Sequence, residues 1–244
     1  MIRNQLAAKY VHTKALHNHQ SPKEIVPLLM SLFNPKSVVD VGCGTGTFLK
    51  EFKINGVEQL KGYDGSWANE ELLAENLNES EFEACDLEKS MEFEHKYDLA
   101  LCLEVAEHLE ESSADILIDN LTKSSDVIVF SAAIPGQGGQ NHVNEQWLDY
   151  WRAKFDAKGF VVDDVLKPLL WNNQKIDYWY RQNIVIVRKS GYKYEKPEVE
   201  NMLQNPIHEQ LFTERTAKYN ELKDGKARPK LYLKLFLKSI FNKS

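Results

Sequence analysis

The stretch that most constrains this chain runs from Ser37 to Thr47: Ser-Val-Val-Asp-Val-Gly-Cys-Gly-Thr-Gly-Thr. Val38, Val39 and Val41 form a short β-branched run suited to a strand buried on both faces of a parallel sheet. Gly42, Gly44 and Gly46 follow at alternate positions, so the backbone can turn sharply and approach a ligand where a Cβ would collide. Phe48, Leu49 and Phe52 then take up helical spacing, and a helix starting there aims free N–H groups into the loop. Strand, glycine turn and helix in this order describe a nucleotide-type site. The dinucleotide fingerprint places its third glycine three residues after the second. Here Thr47 holds that position and Gly46 comes one residue early.

At 244 residues and 43% hydrophobic, the chain can bury one substantial core, which predicts a single α/β domain with an appendage. The net charge of −6 gives no bulk attraction to nucleic acid. Charge is uneven: from Leu222 onward seven basic residues face one acidic, about +6, which leaves the body near −12. Cys43, Cys85 and Cys102 have no framework spacing and read as reduced thiols of a cytoplasmic protein. Met1 to Gln20 is polar, without the apolar core of a secretory signal, and no apolar run approaches the ~18 residues of a spanning helix.

Met1 to Gln20 reads as a loose helix capping the cofactor side, with His12, His17 and His19 solvated rather than ligating. Ser21-Pro22 reads as a helix start, with Ile25, Leu28, Leu29 and Leu32 on its buried face. Gln59 to Tyr63 reads as the second strand, ending at Asp64, eighteen residues past Gly46. A carboxylate at that strand tip is placed to accept from both ribose hydroxyls; the alternative is a turn residue in Tyr-Asp-Gly-Ser. A helix over Glu70 to Asn78 and a strand over Glu81 to Cys85 follow, the latter ending at Asp86-Leu87. Tyr97 to Leu103 reads as the fourth strand and runs into Glu104-Val105-Ala106-Glu107-His108-Leu109. Ile116, Ile118 and Leu121 mark a helix, and Asp126 to Ser131 the fifth strand. A polar, glycine-rich loop then leads into a helix over Glu145 to Lys158. Gly159 to Val165 and Asn183 to Arg188 read as strands six and seven, joined by a short return containing Trp171, Tyr178, Trp179 and Tyr180.

The run Asp40-x-Gly42-x-Gly44-x-Gly46, with Asp64 and Asp86 at the following strand ends, resembles class I S-adenosylmethionine-dependent methyltransferases over roughly Pro22 to Lys189. The resemblance implies a Rossmann-like, seven-stranded, mostly parallel sheet whose seventh strand is antiparallel and inserted between strands five and six. It divides the chain into a cap segment (1–21), a cofactor-binding domain (22–189) and a helical C-terminal extension (190–244). It implies S-adenosyl-L-methionine bound by Asp40, Gly42, Gly44, Gly46, Asp64, Asp86 and Leu87, with Asp86 at the adenine amine; a solvated loop aspartate is the alternative for Asp86.

Glu104-x-x-Glu107-His108, together with His142 from the loop after strand five, is similar to the set by which small-RNA 3′-terminal 2′-O-methyltransferases bind magnesium. Ubiquinone-biosynthesis O-methyltransferases carry a similar Glu-x-x-Glu-His. A divalent cation held by Glu104, Glu107, His108 and His142 could grip a vicinal diol and acidify one hydroxyl. Against this, Glu104 and Glu107 also suit a helix start. Without a metal, His142 is the candidate general base, oriented by Glu145 or Glu107.

The body lacks the arginine-rich surface expected for gripping RNA, so a nucleic-acid substrate is not expected. The Gly-Gln-Gly-Gly-Gln-Asn-His loop and the later Trp-Tyr-Arg-Gln-Asn resemble methyltransferases of surface-glycan gene clusters. The expected activity is an O-methyltransferase acting on a saccharide or other small polyol. The alternatives are an N- or C-methyltransferase of a small molecule and a non-catalytic cofactor-binding scaffold. Leu231, Leu235, Ile240 and Phe241, interleaved with Lys230, Lys234 and Lys238, form an amphipathic basic helix that could lie on an anionic membrane, dock on another subunit or pack on its own domain. The sequence leaves the oligomeric state open.

Overall fold

The computed structural model describes residues 18–199 and 206–241. The segment 1–17, where the cap helix, His12 and His17 were expected, lies outside the described residues. Contacts divide the chain into Met1–Pro206 and Ile207–Ser244.

The first unit is organised on a seven-stranded sheet in the order β3-β2-β1-β4-β5-β7-β6. Its strands are β1 (Ser37–Val41), β2 (Gln59–Asp64), β3 (Phe82–Ala84), β4 (Leu99–Leu103), β5 (Val127–Ser131), β6 (Phe160–Asp163) and β7 (Val185–Lys189). The first five pair in parallel, while β7 runs antiparallel to both β5 and β6. This is the topology that the sequence resemblance implied.

Every residue of β1, β4 and β5 is buried, and alternate side chains feed two cores. Val38, Leu99, Leu101, Val129 and Ile186 pack with Ile25 and Leu29 of α1 (Gln20–Phe33) and Leu49 and Phe52 of α2 (Thr47–Ile54). Val39, Val41, Ala100, Cys102 and Phe130 pack on the other side with Leu117 and Leu121 of α4 (Ala114–Ser124) and Trp151 and Phe155 of α5 (Leu148–Ala157). The helix α3 (Glu70–Ala74) contributes Leu73 to the first of these cores. All three cysteines are free thiols, and no described helix is long and apolar enough to cross a membrane.

Several boundaries differ from the sequence expectation, each for a local reason. The helix α1 begins at Gln20, and Ser21 does not cap it: its hydroxyl donates to Asp177 at 2.7 Å and accepts from the Asp177 N–H. The α3 helix stops at Ala74, well short of Asn78. Asn76 leaves the helix ladder and turns its amide to the Thr45 carbonyl, bracing the glycine loop. The α5 helix starts at Leu148 because Glu145 is occupied by the backbone N–H groups of Gly136 and Gly138. The return between β6 and β7 is longer than a hairpin and holds α6 (Leu166–Leu170) and α7 (Tyr178–Asn183), which takes Asn183 out of the last strand. Residues Tyr192, Tyr194 and Val199, past the last strand, still pack on the first core.

The second unit consists of α8 (Glu209–Lys223), which lies within the expected helical extension but was not delimited from sequence, and α9 (Pro229–Phe241), the expected basic helix. The α8 helix was hard to see because its apolar residues do not collect on one face.

Candidate active site

The C-terminal ends of β1, β2 and β4 open into a cavity of about 340 Å³, where ligands of open α/β sheets bind. The loop after β1 forms its floor. The N–H groups of Gly42 and Cys43 both donate to the Tyr63 carbonyl, at 2.7 and 3.0 Å, which pulls the loop under β2. Gly42 has φ +88°, and a Cβ there would lie 2.3 Å from Val105, so both backbone conformation and space demand glycine. Gly46 caps α2 at φ +77° against Leu77, outside the cavity lining.

Two carboxylates sit on this floor. Asp64 accepts from the Gly44 N–H at 2.7 Å and from the Gly65 N–H at 2.6 Å, tying strand tip to loop. Asp40, one strand over, is 3% exposed; burial and the neighbouring charge of Asp64 push its carboxyl up to about 7. Leu87 lines the cavity, but Asp86 does not: its carboxylate turns out to Lys89 at 3.0 Å, which holds it below the usual range. Trp67 lines the same side with its indole folded over Gly65, a position where a Cβ would lie 2.2 Å from the ring. Only the Gly65-x-Trp67 spacing could have pointed to it.

The opposite wall carries the second group of expected residues. The structure brings Glu107, His108 and His142 together, with one ligand atom from each within 4.8 Å of the others. The chain achieves this by pinning the loop: the N–H groups of Val143 and Asn144 donate to the Glu107 carbonyl at 2.9 and 3.1 Å. The His108 and His142 rings then meet edge to face at 4.8 Å. His142 Nδ1 lies 2.8 Å from Glu145, which leaves Nε2 as the atom turned to Gly139, where a Cβ would lie 2.2 Å away. Glu145 stands behind His142 rather than in the cavity lining. Burial pushes its carboxyl up, but His142 and the Gly136 and Gly138 N–H groups outweigh this and hold it below the ordinary range.

Glu104 belongs to a different constellation. It ends β4 in the left-handed region at φ +55°, a conformation that costs a non-glycine residue ~1–3 kcal/mol and needs support from its surroundings. That support is visible. The Glu104 N–H donates to Ser131 at 3.0 Å, Gln137 Nε2 donates to one carboxylate oxygen at 2.8 Å, and Asn183 Nδ2 donates to the other at 3.0 Å. Asn183 and Gln182 also donate to the side-chain oxygen Oε1 of Gln137, so β4, the loop after β5 and α7 meet in one buried amide network. Both segments stand out in the sequence, but Gln137 and Asn183 had no role assigned there, because single amide side chains carry no distinctive spacing.

Glu107 is fully buried, and neither carboxylate oxygen makes a hydrogen bond of good geometry. Burial and the charge of Glu104 hold its carboxyl well above the usual range. A buried carboxyl whose backbone donors, the Glu107 and Ala133 N–H groups, lie in poor geometry, and which faces two imidazoles, belongs to a donor set that fits a divalent cation. Tyr178, Trp179 and Tyr180 of α7 complete the wall, with Tyr180 edge-on to Phe48 at 5.5 Å.

The model of a family described as a methyltransferase domain matches residues 15–167, well over half of the chain. The chain belongs to this methyltransferase family. Among curated relatives of this methyltransferase is the ubiquinone biosynthesis O-methyltransferase of Neisseria meningitidis serogroup C (strain 053442), 30% identical over 103 residues. That match spans 39% of this chain and 43% of the relative's length, so the chain covers less than half of it. Two solved structures share the fold. The methyltransferase domain of bacterial CtHen1-C superposes with a TM-score of 0.52 at 18% identity, over 70% of this chain and 99% of that one. Magnesium protoporphyrin IX methyltransferase (ChlM) of Synechocystis PCC 6803, a structure with bound SAH, gives 0.54 at 18% identity over 75% and 90%.

Proposed function

We propose that this methyltransferase uses S-adenosylmethionine to methylate a hydroxyl of a saccharide or other small polyol. The observation that carries the cofactor assignment is the pair of carboxylates, Asp40 and Asp64, on the floor of a glycine-lined cavity. A nucleoside bearing an ammonium and a sulfonium relieves their mutual repulsion, and its ribose hydroxyls can donate to Asp64. A pyrophosphate would add negative charge to the same floor, which argues against a dinucleotide.

The cofactor supplies an electrophilic methyl group on its sulfonium. The chain supplies alignment, dryness and a proton acceptor. The glycine loop sets the cofactor's depth, Asp64 fixes its ribose, and the α7 aromatics give an acceptor sugar apolar faces to stack on. Glu145 holds His142 Nδ1, so in the neutral ring Nε2 carries the lone pair that can take the acceptor's proton. Alternatively, that lone pair would join Glu107 and His108 in holding a divalent ion, which would acidify the acceptor hydroxyl in place of a general base. Two imidazoles in this set suit a first-row transition ion better than magnesium.

The test combines binding and turnover. S-adenosylhomocysteine should raise the melting temperature and NAD should not; at a hundred times its dissociation constant a ligand adds ~2.7 kcal/mol. Labelled methyl groups from S-adenosylmethionine should then reach a base-stable glycan fraction of a cell extract, with transfer lost on chelation or in His142→Ala. Binding without transfer to any extract fraction would leave a cofactor-binding scaffold, and stabilisation by NAD alone would overturn the assignment.

A further inference from the structure

The α9 helix presents Leu231, Leu233, Leu235, Phe236, Leu237 and Ile240, each between 40% and 61% exposed. Such residues on thirteen consecutive helical positions need a partner. Within its own unit the helix is tied to α8 through Tyr232. The Tyr232 hydroxyl lies 3.0 and 2.8 Å from the Glu221 and Leu222 carbonyls at the end of α8 and accepts from the Ala227 N–H. Ser239 returns its hydroxyl to the Phe236 carbonyl, so it adds no free polar group.

The charges are ordered. Lys230, Lys234 and Lys238 recur every fourth residue, which at 3.6 residues per turn confines them to about 80° of the circumference. Leu233 and Leu237 flank this stripe on one side, Leu231 and Leu235 on the other, and Phe236 lies nearly opposite. From Gly225 to Ser244 there are six basic residues and no acidic one. A helix docked in a protein groove presents one apolar stripe and keeps the rest polar. Here the proportions are reversed: a narrow cationic stripe crosses an otherwise apolar cylinder. That pattern fits a helix sunk in the lipid interface, with lysine stems reaching along it so that their ammonium groups meet phosphates.

We infer that α9 is a membrane-surface anchor that binds anionic phospholipid. Each lysine contributes about fivefold to partitioning onto such a surface, and the attraction weakens as salt rises. The test is co-sedimentation of the full chain with vesicles of phosphatidylcholine alone and of phosphatidylcholine with phosphatidylglycerol, at low and high salt. Binding is expected only to the anionic vesicles, falling with salt. It should drop more than tenfold in the Lys230→Glu/Lys234→Glu/Lys238→Glu variant and in Phe236→Ser/Ile240→Ser. Far-UV circular dichroism and the melting shift with S-adenosylhomocysteine, unchanged in both variants, show that the body remains folded. The inference is overturned if the chain stays in the supernatant, if the glutamate variant binds equally well, or if sedimentation equilibrium finds a dimer that Phe236→Ser dissociates without any vesicle binding.

Discussion

Replacing Asp40 by Asn should stabilise the ligand-free protein while weakening its hold on the cofactor. Asp40 has its carboxyl raised from 3.8 to about 7 by burial and by the charge of Asp64. In the unfolded chain it releases its proton near pH ~4, whereas the folded chain keeps it until about pH 7. Across that window the folded state binds the extra proton, so stability falls as pH rises and levels off above it. The shift of roughly three units, at 1.36 kcal/mol each, sets an upper bound of about 4 kcal/mol, and sharing of charge with Asp64 brings the working range to about 2 to 4 kcal/mol. Asn has the same shape and no proton to lose. The unfolding free energy of Asp40→Asn minus that of the wild type, from urea titrations in the absence of ligand, should therefore grow by that amount between about pH 4 and about pH 8. Subtraction removes the buried carboxyls that do not interact with Asp40, and the coupling to Asp64 is what widens the range. In the same variant the melting shift given by S-adenosylhomocysteine should shrink, since the charge facing a ligand ammonium is gone. A difference that does not change with pH would refute the reasoning.

Three other substitutions probe separate parts of the site. Gly42→Ala combines a left-handed backbone with a 2.3 Å approach to Val105; it should cost about 2 to 5 kcal/mol and abolish cofactor binding, read by urea unfolding and isothermal calorimetry. Asn183→Leu removes a donor from Glu104 and should cost about 1 to 3 kcal/mol, with methyl transfer falling further than S-adenosylhomocysteine affinity. Glu145→Ala frees His142 Nδ1 and the two glycine N–H groups; kcat should fall about 10- to 100-fold, with cofactor affinity within about twofold by calorimetry.

How far the sequence could be read depended on whether position or contact defined the feature. The strand cores, the Gly42-Gly44-Gly46 turn and Asp64 were legible because each follows from backbone periodicity or from its place after a buried strand. The insertion of β7 between β5 and β6 came from family resemblance, and the sheet bears it out. What escaped were features decided across the sheet. Ser21 resembles a helix cap but bonds to Asp177, 156 residues away. Gln137 and Asn183 meet only after the chain has passed through α5, β6, α6 and α7. Asp86 is a local exception: it sits at the expected strand end, but Lys89, three residues on, draws it outward.

Glu104 shows why a motif fixes residue types before it fixes their roles. The spacing Glu104-x-x-Glu107-His108 places three potential ligands in one turn, but the positive φ at Glu104 sends its carboxylate to Gln137 and Asn183, while Glu107 and His108 face His142. The first glutamate thereby ties the end of β4 to the loop after β5 and α7, the two elements that would enclose an acceptor. The second stays buried without well-formed hydrogen bonds. With Asp40 and Asp64 opposite, four carboxyl groups border one cavity; burial resists the ionisation of Asp40, Glu104 and Glu107, a cost to the ligand-free fold that cationic ligands relieve. Stability and binding are therefore opposed at this site, and a substitution that neutralises one of these carboxylates should separate them.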